Sequence, residues 1–115
     1  MNPRRVVVTG LGALTPIGNS IPNYWNGLLN GKSGSAPITY FDTSDFKTKF
    51  ACELKNFNAL DFIEKKELRR QDKFSQYATI CSEEAINDAN LMNSKIDFNR
   101  VGVIWGVGIG GIETF

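Results

Sequence analysis

The stretch "VGVIWGVGIGG", Val101 to Gly111, places Gly106, Gly108 and Gly111 in a Gly-x-Gly-x-x-Gly spacing at the end of an apolar run. In a dinucleotide-binding turn such glycines let the backbone bend, approach a pyrophosphate and pack a helix closely, with an acidic residue about 20 positions further on for the ribose. An NAD(P)-binding oxidoreductase is therefore one reading. Against it, the fingerprint belongs in the first β-α turn, whereas the first turn here, "TGLGALTPIG", has Gly10-x-Gly12 but Thr15 at the third glycine position. The acidic partner falls beyond Phe115, and spacing alone favours glycines that serve only turning and close packing.

Other residues capable of chemistry are few. The absence of histidine removes the commonest general base and metal ligand, and with them any Cys-His or Ser-His-Asp arrangement. Cys52 and Cys81 are far apart and fit no metal-ligand spacing. Cys81 falls on the apolar face of an expected helix and Cys52 in a β-like segment, so both read as structural, and Trp25 and Trp105 read as core aromatics. No catalytic residue, metal site or cofactor is assigned within the 115 residues. Lys65, Lys66, Arg69, Arg70 and Lys73 form a basic cluster, with Lys66, Arg70 and Lys73 spaced to share one helix face. Asp61, Glu64, Glu67 and Asp72 nearly balance it, which by itself describes a solvated surface.

The elements that would position these residues follow from pattern. With 42% apolar and 22% charged residues the chain reads as one domain over residues 1–115. Its net charge of +1 gives no general attraction to nucleic acid or anionic lipid. No apolar run approaches the roughly 20 residues that span a bilayer, and no signal-peptide pattern appears, so a cytoplasmic location is expected, with no membrane or nucleic-acid partner. Arg5 to Thr9 reads as a buried parallel strand followed by a glycine-rich loop. Ser20 caps a helix with Pro22 in its first turn, and Gly31 stops it. Residues 31–60 read as an excursion containing a small hairpin near Ile38–Phe41 and Lys49–Leu54. Asp61 and Glu64 suggest a capping-box start to a short helix, and a one-sided helix runs from about Asp72 to Asn90. "RVGVIWGVG" returns to a buried strand. The order β-α-insertion-α-β indicates an α/β fold with parallel strands.

Taken together, "RRVVVTGLGALTPIGNS", "YWNGLLNGKSG", "FDTSDFKTKFA", "RRQDKFSQYA" and "GVGIGGIETF" resemble the N-terminal part of the β-ketoacyl-acyl-carrier-protein synthases, most closely the elongating enzymes of type II fatty acid synthesis. The resemblance covers essentially the whole chain and implies a thiolase-like fold, of which only the N-terminal part of the first half is present. It implies that "GVGIGG" borders an acyl-chain pocket at Gly108, with Ile109 limiting chain length. It also implies that Lys66, Arg69 and Arg70 belong to the patch that docks the acidic acyl carrier protein. Gln71 stands where the related "R-M-D-x-F" pattern often has methionine, and a packing adjustment is expected there. The implied reaction is a decarboxylative Claisen condensation of acyl and malonyl thioesters in an enzyme that is a homodimer when complete. Its nucleophilic cysteine and two histidines have no counterpart in this sequence, so the bare chain is expected to be inactive. A polyketide ketosynthase or chain-length-factor fragment is the alternative within the same fold. Two expectations follow: sheet edges and apolar surface left uncovered, and a chain that is either the beginning of a longer enzyme or a truncated product needing a partner.

Overall fold

The computed structural model describes residues 3–112; the Glu113–Phe115 end of the "GVGIGGIETF" segment lies outside them. Two compact units are present: the described residues of Met1–Gly12 with Ala59–Phe115 form one, and Ala13–Asn58 form the other.

In the unit Ala13–Asn58 local signals determine the helix. Helix α1, Ile21–Leu29, starts at Ser20, whose hydroxyl accepts the Asn23 N–H, with Pro22 in the first turn. It ends at Asn30, and Gly31 takes φ +60°, so that the Gly31 and Lys32 N–H groups donate back to the Leu28 and Gly27 carbonyls at 3.0 and 2.9 Å. This closing pattern needs a left-handed residue, which glycine supplies at least cost. The expected hairpin is present but displaced. Strands β1, Ala36–Pro37, and β2, Phe50–Ala51, pair antiparallel with Ala36 opposite Ala51. Ile38 N–H donates to the Lys49 carbonyl, and the Thr39 N–H and hydroxyl both donate to the Glu53 carboxylate. At the tip, Phe41 meets Phe46 edge to face at 5.5 Å. There the Ser44 hydroxyl and N–H both donate to Asp42 and hold its carboxyl below the ordinary range.

The other unit is organised on helix α3, Lys73–Asp88, close to the span its apolar periodicity predicts. Gln76, Ile80 and Cys81 are its buried residues, and Ile63 packs into the same small core. Gly10 and Gly12, two positions apart on the incoming chain, lie directly on α3: a β-carbon on Gly12 would overlap the Cys81 carbonyl, and one on Gly10 the Ala85 carbonyl. Between them the Leu11 N–H donates to Asp88 Oδ2 at 2.9 Å.

Several expectations fail here for identifiable reasons. The parallel strands at Arg5–Thr9 and in "RVGVIWGVG" are not formed, and β1–β2 is the sheet among the described residues. A parallel strand requires a hydrogen-bonded neighbour and cover on its faces, which these residues do not provide. Val6 and Ile104 are accordingly 91% and 98% exposed. The expectation of uncovered apolar surface holds. Trp25 and Trp105 are likewise exposed, not core residues. The Asp61 start is also displaced: Asp61 closes a 3-10 turn, Ala59–Asp61, and helix α2 covers only Lys65–Leu68 with Glu64 at its cap position.

Candidate functional site

The basic cluster is carried by α2, the turn after it and the start of α3. Lys66 lies within α2, Arg69 is its C-terminal cap and Arg70 follows, all three exposed. The Arg70 N–H donates to Glu67 O at 2.9 Å, and the chain leaves the helix before α3 begins at Lys73. Lys66, Arg70 and Lys73 therefore do not share one face of a continuous helix. The four-and-three spacing argument fails because the helix breaks between Arg69 and Asp72. What survives is a basic bend presented by two short-range turns.

The bend has an internal tie that sequence reasoning missed. The Gln76 side-chain amide, buried on α3, donates to the Gln71 carbonyl in the turn at 2.8 Å and to the carbonyl of Leu68, the last residue of α2, at 3.4 Å. A glutamine one turn into a helix that follows a basic break is the signal available in the sequence. Gln71 does more than adjust packing. Its side-chain Oε1 is buried with no hydrogen-bond partner among the described residues. Replacing it by the similarly shaped methionine removes an unsatisfied acceptor while leaving the Gln71 carbonyl to Gln76. Gln71→Met is expected to raise stability by about 1 kcal/mol, read from the denaturant midpoint at unchanged slope.

The glycine loop is less enclosed than its sequence suggests. A β-carbon on Gly102, Gly106 or Gly108 would meet nothing within 4 Å, so close backbone approach does not explain these three glycines. Gly110 is different: its β-carbon would lie 3.2 Å from Phe74 of α3, and Gly111 takes φ +69°. Ile109 is 78% exposed. Gly108 and Ile109 do not line the apolar groove of about 500 Å³ in which Ala78, Ile86, Met92, Val103 and Trp105 meet. The paired strand that leads into a dinucleotide fingerprint is not present among the described residues. Cys52 is exposed and Cys81 buried, and no group of three or more Cys, Asp or Glu side chains is gathered for a metal among the described residues. Nor is any helix among the described residues long and apolar enough to cross a membrane.

Residues 3–114 match the family described as the beta-ketoacyl synthase N-terminal domain. The chain belongs to the β-ketoacyl synthase family. It is 47% identical over 114 residues to a 3-oxoacyl-[acyl-carrier-protein] synthase 2 of Synechocystis, covering 99% of this chain and 27% of that protein. To the protein of the same name from Staphylococcus aureus strain COL it is 49% identical over 112 residues, covering 97% of this chain and again 27% of the relative. The chain thus spans about a quarter of the length of these curated relatives. Among solved structures, the ishigamide ketosynthase/chain length factor superposes with a TM-score of 0.70 at 35% identity, covering 86% of this chain and 23% of that one. A type II PKS acyl-carrier protein in complex with its ketosynthase bound to the hexaketide gives 0.56 at 27% identity, over 79% and 23%. The fold class is therefore that of the ketosynthases, a thiolase-like α/β fold of which this chain is a part.

Proposed function

We propose that the chain is the N-terminal portion of a 3-oxoacyl-acyl-carrier-protein synthase acting in fatty acid elongation. The observation that carries this reading is near-half identity across almost the entire chain to two proteins of that name. In the proposed reaction an acyl group passes from carrier protein to a cysteine thiolate. Malonyl-carrier protein then loses carbon dioxide, and the resulting carbanion attacks the acyl thioester, releasing the thiolate and forming a carbon–carbon bond. Two histidines stabilise the enolate oxygen before attack. With no histidine here, this chain contributes surfaces to the reaction and none of its acid-base groups.

Two surfaces are proposed. The exposed Lys66, Arg69 and Arg70 bend offers forked and point cationic donors to an acidic carrier protein. Gly108 and Ile109 form one wall of the acyl pocket, the open space around Gly108 leaving room for substrate and the apolar Ile109 side chain setting the depth. Replacing Ile109 by phenylalanine is then expected to shorten the longest acyl chain accepted, seen as a shift in product-length distribution by mass spectrometry; an unchanged distribution removes Ile109 from the pocket. The reading includes a cytoplasmic location and a homodimer.

The test is to purify the polypeptide made from the native locus and supply acyl- and malonyl-carrier protein. The expected product is a 3-oxoacyl thioester two carbons longer than the primer. A folded protein that forms none overturns the reading. The 115 residues alone are expected to form none. A polyketide ketosynthase is the second reading, favoured by the two solved neighbours; it predicts repeated condensation without intervening reduction.

A further inference from the structure

A polar cleft of about 440 Å³ lies within the unit Ala13–Asn58, and it shares no residue with the carrier-protein bend or the acyl loop. One wall is a face of α1, where Asn23, Asn26 and Asn30 follow at three and four residues. The Lys55–Asn56 turn forms another part of the lining, together with Lys32. No acidic residue lines the cleft.

Each wall is held in place by the chain's own bonds. The Asn19 side-chain amide donates to the Lys55 and Asn56 carbonyls at 2.9 and 3.3 Å, fixing a turn in which Asn56 takes φ +52°. Lys32 is set by the Schellman closure of α1 at Gly31. The Asn30 side-chain amide donates to Asn26 Oδ1 and O, both at 2.8 Å, which commits the Asn26 oxygen and leaves the Asn26 amide N–H and the Asn30 Oδ1 free of that bond. The lining therefore includes two lysines and several asparagines, whose carboxamides offer both donors and acceptors, around a volume in the range of small-molecule sites. Two uncompensated cations select an oxyanion, and the mixed carboxamide lining suits hydroxyl groups attached to it.

We propose that this cleft binds a phosphomonoester carried on a hydroxylated body of sugar size, with Lys32 and Lys55 on the phosphate and the asparagines on the hydroxyls. The inference is independent of the condensing reaction. The test is calorimetry on the polypeptide made from the native locus, titrated with ribose 5-phosphate, inorganic phosphate and ribose. Ribose 5-phosphate is expected to bind more tightly than inorganic phosphate, and ribose to give no detectable heat. Lys32→Gln and Lys55→Gln are each expected to raise the dissociation constant about tenfold, as loss of a hydrogen bond to a charged group does, while Lys95→Gln leaves it unchanged. Folding of each variant is checked by circular dichroism. No heat with ribose 5-phosphate, equal affinity for ribose, or undiminished affinity in the folded Lys32→Gln and Lys55→Gln variants overturns the proposal.

Discussion

A Gly12→Ala protein is expected to be severely destabilised, with a loss of about 3 kcal/mol or more, although only a methyl group is added. The reason is the seam between the incoming chain and α3. At Gly12 the new carbon overlaps the Cys81 backbone carbonyl, which belongs to a hydrogen-bonded helix and cannot rotate aside as a side chain would. Gly10→Ala meets the Ala85 carbonyl and the Ala89 backbone and is expected to behave alike. The fair comparison is Gly108→Ala, whose added methyl meets nothing and whose stability is expected to change by less than about 0.5 kcal/mol. Denaturant midpoints of the three variants, measured in the natural polypeptide, check this. A Gly12→Ala midpoint equal to that of Gly108→Ala would mean that residues 10–12 do not lie against α3.

Reversing Arg69 and Arg70 together to glutamate is expected to weaken carrier-protein binding by about 10- to 100-fold at low ionic strength, mainly through slower association. The effect should shrink as salt is raised toward 1 M, where the screening length falls to about 3 Å. Both residues are exposed and neither side chain supports the fold, so the unfolding midpoint should stay near that of the wild type. Binding that is unchanged at low salt would mean that the bend is a solvated surface and that the carrier protein is met elsewhere.

How much of this was legible in the sequence depended on the range of the forces involved. Helix α1 was readable almost to the residue because Ser20, Pro22 and Gly31 act on backbone within one turn of themselves. Helix α3 was readable from apolar spacing, although Gln76 in its buried set shows a polar tie that periodicity does not flag. The strands were misread because valines at 6–8 and the run at 101–107 express only a preference, which is fulfilled when neighbouring strands are supplied. The basic cluster was misread for a different reason. The four-and-three spacing assumes one unbroken helix, whereas the short helix Lys65–Leu68 ends before the next one starts at Lys73, the break that the expected helix start near Asp72 already implied. As for the candidate sites, Lys66, Arg69 and Arg70 were found by charge, while the Asn-lined cleft was invisible because its lining comes from residues as far apart as 16 and 56, tied by the Asn19 side chain.

The bond from Leu11 to Asp88 joins positions 77 residues apart. Bringing such distant points together carries an entropy cost that grows with the logarithm of the intervening length, and folding slows as such contacts dominate. Residues 13–58 lie inside that interval and complete their helix, hairpin and turns among themselves. If they condense first, they replace more than half of a flexible tether with a preformed body. The late, slow event in folding is then the seating of Gly10 and Gly12 on α3, and substitutions at that seam should accelerate unfolding more than they retard folding.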